Sequence, residues 1–180
     1  RTIIRRLCRK YRSRAGCIPV RLNESNQLEF LLIERRLRQS NQWTIPAGGV
    51  DQGETTQEAA IRETEEECGV RGKIIAQVGE YRDNKKYNLT SIYLQTVSQT
   101  LGETEYEEGL KGRRRKWLTS SEALDGLHWS QVNREILQDC IVTIENNQAI
   151  LEKLQLCHDH SFVAKQPQNS RVLNNNGDLS

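Results

Sequence analysis

The first two-thirds of the chain contains short apolar segments that are rich in β-branched and aromatic residues and are separated by polar turns. These segments predict β-strands at residues 15–22, 28–36, 43–47, 73–83, 88–101 and 114–118. The polar sequence Asn-Glu-Ser-Asn at residues 23–26 predicts a hairpin between the first two strands. After Ser120 the pattern becomes helical, at residues 122–127 and from about 130 to 155. We therefore expect an α/β fold in which helices pack on a mixed sheet.

A further helix is predicted between the third and fourth strands. Thr55-Thr56-Gln57-Glu58 has the sequence of a capping box, so the helix should begin at Thr55, and Gly69 is placed to end it. At about 100° per residue, the stripe suited to packing on the sheet consists of Ala60, Ile61, Thr64 and Cys68. A second face beside this stripe carries Glu63, Glu66 and Glu67, whereas Glu58, Arg62 and Glu65 fall nearer to solvent.

The three carboxylates on one helix face need an explanation, because neighbouring negative charges repel each other and raise each other's pKa. One explanation is a solvated acidic face. The other is a divalent cation, since Mg²⁺ binds carboxylate oxygens and also bridges phosphate oxygens. A glutamate that is not fully engaged with the metal could then take a proton from an attacking water. The second explanation predicts phosphate-ester or pyrophosphate chemistry.

The distribution of charge changes the picture further. The 180 residues carry a formal net charge of only +2, but the basic side chains are clustered. Residues 1–14 hold seven basic side chains and no acidic one, and other clusters lie at residues 35–38, 85–86 and 113–116. Each cluster alone is typical of a solvated face or, for the first, of a targeting segment. Four clusters around an acidic helix favour a concave site for a strongly anionic ligand.

The cysteines and the apolar runs restrict the class of protein. Five scattered cysteines without a C-x-x-C pattern favour reduced thiols in an intracellular protein, so we expect the cytoplasm, with the nucleus as an alternative. No apolar run approaches the roughly 18 to 20 residues of a membrane span, so no membrane association is expected. The segment Cys157-His158-Asp159-His160 could bind a metal, but without a second ligand cluster it favours a solvated helix end.

Residues 48–70 resemble the Nudix box, G-x5-E-x7-R-E-U-x-E-E-x-G-U, in which U is a bulky apolar residue. The seven fixed identities are filled by Gly48, Glu54, Arg62, Glu63, Glu66, Glu67 and Gly69, and Val70 fills the last U position. Thr64 departs from the pattern at the first U position, and we expect its methyl group to pack while its hydroxyl bonds back to the helix. The resemblance implies the Nudix fold, an α/β/α sandwich around a mixed sheet.

The same resemblance implies hydrolysis of a diphosphate linked to another moiety, with Mg²⁺ or Mn²⁺ as the cofactor. The metal ligands that it implies are Glu63, Glu67 and the backbone carbonyl of Ala47. It implies Glu66 as the general base. Arg62 is expected to be structural and to neutralise part of the carboxylate cluster. Glu54 either holds a water near the metal or supports the loop.

Outside the box, residues 11–127 resemble the diphosphoinositol polyphosphate phosphohydrolase group, which also cleaves diadenosine polyphosphates. The resemblance rests on the sequences Y-R-S-R-A at 11–15, W-T-I-P at 43–46 and G-R-R-R-K-W at 112–117, the last being similar to the group's G-R-K-R-x-W. It implies a highly phosphorylated small-molecule substrate, whose oxygens arginine forks bind bidentately. The substrate-binding residues that it implies are Arg12, Arg14, Arg36, Arg38, Lys86, Asn88 and Arg113. Asn88 stands where the group often has histidine, and Arg36 stands where serine is common.

The predicted organisation is a basic N-terminal arm at residues 1–10, a Nudix hydrolase domain at 11–140, a helical extension at 141–160 and a disordered tail at 161–180. Two other functions stay open. One is hydrolysis of nucleotides or of the RNA cap, in which the basic arm would hold an RNA backbone. The other is a non-catalytic module that binds phosphorylated ligands, which the intact set of glutamates disfavours. The sequence gives no indication of the oligomeric state.

Overall fold

The structure is a computed structural model that describes residues 11–36 and 42–163, with side chains up to residue 158. The strands in these ranges are β1 (Arg12–Leu22), β2 (Leu28–Glu34), β3 (Trp43–Thr44), β4 (Gly48–Gly49), β5 (Val70–Arg71), β6 (Ile74–Asp83), β7 (Asn88–Gln95), β8 (Gln99–Thr100) and β9 (Arg115–Thr119). The helices are α1 (Thr56–Cys68), α2 (Glu107–Leu110), α3 (Ser120–Gly126), α4 (Gln131–Glu145) and α5 (Gln148–Val163). The predicted N-terminal arm, Arg38 and residues 164–180 lie outside the described residues. None of the described helices is long and apolar enough to cross a membrane.

Seven of the described strands form one mixed sheet. Its order is β3-β2-β1-β7-β6, with β4 also paired to β1 and β9 to β2. β1 and β7 run parallel, and their register sets Arg14 opposite Thr90. β4 is antiparallel to β1 and sets Gly49 opposite the same arginine. The sheet therefore brings the loop before α1 next to the beginnings of β1 and β7.

The two faces of the sheet are covered by different helices. Successive residues of a strand point to opposite faces, so β1 contributes to both layers. Ala15 and Cys17 pack with Ala59 and Ala60 of α1. Ile18 and Val20 belong to the larger cluster, to which α3, α4 and α5 contribute Ala123, Ile136, Leu137, Cys140, Ile144, Ile150 and Leu154. The predicted α/β/α arrangement around a mixed sheet is confirmed.

The predicted hairpin at residues 23–26 is present between β1 and β2. The side-chain oxygen of Asn23 accepts the amides of Ser25 and Gln27, each over 2.9 Å. Asn26 adopts a left-handed conformation with φ 58°, which asparagine tolerates better than most residues. Leu22 then pairs with Leu28 across the turn.

Two predicted elements were wrong because each is divided in two. The predicted strand at 88–101 consists of β7 and β8, since the strand in the large sheet ends at Gln95 and the Ser98 amide then donates to the carbonyl of Arg71 over 2.8 Å. The predicted helix at 130–155 consists of α4 and α5. Helix α4 is capped at its C-terminal end by Asn146. The side chain of Asn147 then accepts the Ile150 amide over 3.3 Å at the start of α5. β5 and α2 were not predicted, and the predicted strand at 43–47 is shortened to β3.

Candidate active site

Helix α1 begins and ends as its sequence predicts. The Glu58 amide donates to the Thr55 hydroxyl over 3.2 Å, and the Thr55 amide donates to the Glu58 carboxylate over 2.8 Å. Gly69 is left-handed, with φ 62°, and its amide donates to the Glu65 carbonyl over 2.9 Å. A β-carbon at Gly69 would also lie 2.4 Å from the ring of Tyr106. The capping box and the terminating glycine are confirmed.

The side of α1 that faces the sheet is rotated from the predicted stripe. The buried residues are Ala59, Ala60, Thr64 and Cys68. Ile61 is 38% exposed, so its predicted place in the core is wrong. Ala59 extends the buried side toward Glu63, whereas Ile61 lies just beyond Cys68 at the opposite edge. The Thr64 hydroxyl donates to the Ala60 carbonyl over 2.7 Å, as predicted.

Glu63 lies directly against Gly48. A β-carbon at Gly48 would fall 1.8 Å from the carboxyl carbon of Glu63 and about 2 Å from its oxygens. The glycine therefore leaves the space that the carboxylate occupies. Burial raises the pKa of Glu63, and a 2.8 Å hydrogen bond from Arg62 opposes this only in part.

Glu67 joins the loop before α1 to a more distant segment. Its Oε2 accepts the Ala47 amide over 2.8 Å, and its Oε1 accepts Nη1 of Arg113 over 2.8 Å. The carbonyl of Ala47 accepts a hydrogen bond from the guanidinium of Arg14. The Ala47 residue is thus held between Glu67 on one side and Arg14 on the other.

Arg62 links four acceptors around the helix. Both Nε and Nη2 donate to Glu54 over 2.9 Å, and Nη1 donates to Glu63 over 2.8 Å and to Glu66 over 3.2 Å. Nη2 also donates to the Gly49 carbonyl over 2.9 Å. Helical spacing directs Arg62 toward solvent, but its long side chain folds back over the carboxylates and is only 30% exposed. This geometry suits the predicted neutralising role of Arg62 and a supporting role for Glu54.

Glu66 is the most exposed of the three predicted site carboxylates, at 40%. Partial burial raises its pKa, the charge of Arg62 lowers it, and the charges of Glu63 and Glu107 raise it again, so that the net shift is upward. A carboxylate that is open to solvent and has a raised pKa is suited to accept a proton from water.

The oxygen atoms around Ala47 suit a hard divalent cation, which prefers carboxylate and carbonyl ligands. Across residues 11–36 and 42–158, no group of three or more His, Cys, Asp or Glu side chains is gathered to hold a metal ion. The carboxylates of Glu63 and Glu67 instead face the guanidinium groups of Arg62 and Arg113. The carboxylate oxygens that would bind a metal are therefore already next to positive charge, and Gly48 leaves the space that the Glu63 carboxylate occupies. By its chemistry, the donor set fits a cation of the Mg²⁺ type.

One basic cleft, here called the α4 cleft, lies on the Arg14 side of Ala47. It has a volume of about 130 Å³, and its walls include Arg14, Ala47, Lys86, Asn88, Ser130 and Asn133. The predicted substrate-binding residues Arg14, Lys86 and Asn88 are therefore brought together. Lys86 is mostly exposed, and its Nζ lies 3.8 Å from Asp83. Arg12 is exposed at the start of β1.

A second basic cleft, here called the α2 cleft, has a volume of about 400 Å³ and is lined by Glu34, Arg35, Arg36, Glu108, Lys111 and Arg113. Arg36 binds Glu108 through two nitrogens, and its Nε donates over 3.0 Å. Lys111 and Arg113 contact the same carboxylate at 2.9 and 3.4 Å. The predicted substrate-binding residues thus form two groups rather than one surface. Sequence reasoning missed Glu108, which no local pattern marks.

The remainder of the G-R-R-R-K-W segment supports the fold. Arg114 binds Glu34 over 2.5 Å at the surface. Arg115 donates to the carbonyls of Cys68, Gly69 and Leu101, with distances of 3.0 and 2.5 Å for the last two. Its guanidinium therefore binds carbonyl groups at the end of α1, which the helix itself leaves without partners. This role of Arg115 was not predicted either.

Known proteins are similar to this chain in sequence and in fold. A family model described as NUDIX domain matches residues 10–140. The chain belongs to the Nudix family. Diphosphoinositol polyphosphate phosphohydrolase 2 of Mus musculus is 32% identical over 114 residues, which cover 63% of this chain and 62% of the mouse protein. This Nudix chain thus spans about three-fifths of the length of that relative.

Two further proteins extend the comparison. Diphosphoinositol polyphosphate phosphohydrolase 3-beta of Bos taurus is 31% identical over 130 residues, which cover 71% of this Nudix chain and 77% of the bovine protein. The crystal structure of a C. elegans Ap4A hydrolase binary complex is 22% identical, with a TM-score of 0.58, and covers 76% of this chain and 99% of its own. At this identity the likeness shows the fold alone, and it confirms the predicted Nudix fold.

Proposed function

We propose that this Nudix protein is a metal-dependent pyrophosphohydrolase that cleaves a diphosphate bond in diphosphoinositol polyphosphates and in diadenosine polyphosphates. The observation that carries the proposal is the position of Glu63 against Gly48 and of Glu67 against Ala47, with Arg14 of the α4 cleft and Arg113 of the α2 cleft bound beside them. The names of the relatives support the substrate class, because the bovine phosphohydrolase is matched over 77% of its length.

Glu63, Glu67 and the carbonyl of Ala47 are the groups that would hold the metal ion, Mg²⁺ or Mn²⁺. When bound, the ion supplies positive charge against the oxygens of the diphosphate. Arg62 keeps the carboxylates close to each other without a metal, because its charge offsets part of their repulsion. The helix is thus prepared for a divalent cation.

Glu66 is the proposed general base. Its carboxylate is more exposed than those of Glu63 and Glu67, and its pKa is raised by partial burial. Of the three carboxylates, it is the one that water reaches most easily. We propose that it takes the proton of the water that attacks phosphorus, which is a role that typically contributes about 100-fold to 10,000-fold to a rate.

The α4 cleft is the proposed site for the phosphates that are not cleaved. The cleft has two positive charges, from Arg14 in β1 and from Lys86 in the turn before β7, and one amide, from Asn88 in β7. A diphosphoinositol polyphosphate carries many phosphates on a small ring, so several donors must reach it from different segments. The RNA-cap alternative depends on the basic arm, which lies outside the described residues.

Turnover of two substrates would test the proposal. A diphosphoinositol polyphosphate and a diadenosine polyphosphate are incubated separately with Mg²⁺, and the products are quantified by ion-exchange chromatography. We expect the wild-type protein to cleave both, and Glu66→Gln to reduce turnover by about 100-fold or more. Cleavage of neither substrate would contradict the proposed function.

A neighbouring glutamate provides the matched control. Glu65 lies on the same helix, but its carboxylate binds Arg71 over 2.6 Å at the surface. Glu65→Gln should keep turnover within about twofold of the wild type, because exposed ion pairs contribute little. Equal turnover of the Glu66 variant and this control would refute the assignment of the general base.

A further inference from the structure

Arg113 stands between two carboxylates. Its Nη1 lies 2.8 Å from Oε1 of Glu67 and 3.4 Å from Oε2 of Glu108. Its Nε donates to the Glu34 carbonyl over 2.8 Å, which fixes the base of the guanidinium group. The side chain is only 10% exposed, so that water screens these interactions weakly. A small movement of the guanidinium is therefore enough to shift it from one carboxylate to the other.

Glu108 is prepared to be the second of these partners. Its side chain is 5% exposed, and Arg36 and Lys111 hold it in place. Burial raises the pKa of Glu108, but the hydrogen bonds from Arg36 and Lys111 outweigh this effect, and the net shift is downward. The Glu108 carboxylate therefore carries its negative charge at neutral pH. It lies beside Arg113, which also binds Glu67.

A divalent cation held by Glu67 would lie close to the Arg113 guanidinium, because both would bind the same carboxylate. The two positive charges repel each other, and the repulsion is strong where solvent is largely excluded. Because Nε is fixed on the Glu34 carbonyl, a small rotation that brings Nη1 closer to Glu108 is the shortest way to release Glu67.

We propose that Glu108 is a positioning residue for the metal site, which takes over Arg113 when a divalent cation binds Glu67 and thereby sets the affinity of the site for that cation. This inference rests on the metal site of the proposed function. It assigns the α2 cleft to the control of metal binding, and it makes Arg113 an internal cation that occupies Glu67 in the metal-free protein.

The test measures Mn²⁺ binding to the substrate-free protein, from the electron paramagnetic resonance signal of free Mn²⁺. Glu108→Gln removes the charged partner of Arg113, so the Kd for Mn²⁺ should rise roughly tenfold, as expected for the loss of a hydrogen bond to a charged group. Glu34→Gln is the matched control, because it removes a carboxylate from the same cleft, but one that binds Arg114. Its Kd should change by about twofold or less.

A second pair of variants tests whether Glu108 acts through Arg113. In the background of Arg113→Gln, the change Glu108→Gln should leave the Kd for Mn²⁺ nearly unchanged, because no guanidinium is left to be shared. Melting curves without metal establish that each variant is folded. If Glu108→Gln does not fold, Glu108→Asp replaces it. The shorter side chain keeps the charge but lies farther from Arg113, so the Kd for Mn²⁺ should rise by about threefold.

The outcomes separate the inference from the function on which it rests. If the wild type binds no Mn²⁺, or if Glu67→Gln does not abolish the binding, the metal site itself is overturned. Saturable binding with the same Kd in the wild type and in the Glu108 variants would overturn the role of Glu108 and leave the metal site intact. Equal effects of Glu108→Gln and Glu34→Gln, or an undiminished effect in the Arg113→Gln background, would also overturn it.

Discussion

The α4 cleft includes Arg14, which binds the Ala47 carbonyl, and the α2 cleft includes Arg113, which binds Glu67, but the cations of the two clefts are used differently. In the α4 cleft, Arg14 donates to a backbone carbonyl and Lys86 lies 3.8 Å from its carboxylate partner. In the α2 cleft, Arg36 and Arg113 both bind to carboxylates that are largely buried, Glu108 and Glu67. The positive charge of the α4 cleft is therefore available to an anionic ligand, whereas most of that in the α2 cleft is neutralised internally.

The largest expected effect distinguishes the two clefts by substrate. Arg14→Ala should lower kcat/KM for a diphosphoinositol polyphosphate by about tenfold to 100-fold, because a charged hydrogen bond to phosphate is lost. Its effect on a diadenosine polyphosphate should be smaller, since that ligand has a lower density of charge. Arg36→Ala should lower either value by about threefold at most.

Steady-state kinetics with both substrates check this prediction. Equal losses on the two substrates in Arg14→Ala would indicate that Arg14 supports the Ala47 loop and does not select the ligand. A larger loss in Arg36→Ala than in Arg14→Ala would reverse the assignment of the two clefts.

A smaller effect is expected on stability, and it should be larger in the α2 cleft than in the α4 cleft. Arg113→Ala leaves the largely buried Glu67 without a cationic partner, whereas Glu108 keeps Arg36 and Lys111, and the free energy of unfolding should fall by about 3 kcal/mol. Lys86→Ala, at a side chain that is 68% exposed, should change it by about 0.5 kcal/mol or less. Urea unfolding of both variants measures the difference. Similar losses for the two variants would show that the clefts do not differ in internal pairing.

The smallest expected effect is a dependence of stability on pH in the α2 cleft. The folded-state pKa of Glu108 is lowered, because the hydrogen bonds from Arg36 and Lys111 outweigh burial. Its contribution to stability is therefore complete above the usual carboxyl pKa of about 4.3 and is lost as the pH falls through the folded-state value. The difference in Tm between the wild type and Glu108→Gln should shrink as the pH is lowered from about 6 to about 3. Thermal melting across this range checks the prediction, and a constant difference would contradict it.

The features of the site that could be predicted from the sequence are those encoded within a single helix. Thr55 and Glu58 lie three residues apart, and Gly69 follows directly on the helix, so spacing alone predicts both ends. The common face of Glu63 and Glu67 follows in the same way from helical geometry. Spacing does not give the rotation of the helix against its neighbours, and for this reason the exposure of Ile61 was predicted wrongly.

The partners of the charged groups could not be predicted, because they are distant along the chain. Arg113 is 46 residues from Glu67, and Arg36 is 72 residues from Glu108. Resemblance to a family identified both arginines but gave neither carboxylate as a partner. The break between β7 and β8 has a similar cause, since the short strand β8 pairs with β5 and not with the large sheet. Tertiary pairing decides such cases, and composition does not contain it.

The bonds from Arg115 to the end of α1 have a consequence for synthesis on the ribosome. Arg115 is 47 residues from Cys68, whose carbonyl it binds. At roughly 5 to 20 residues per second, the helix of glutamates emerges several seconds before the side chain that completes its C-terminal end. During that interval the growing polypeptide carries Glu63, Glu66 and Glu67 beside Arg62, but without Arg113 or Arg115. The order of synthesis therefore leaves the C-terminal end of α1 without this partner until β9 has emerged, and α3, α4 and α5 follow later still.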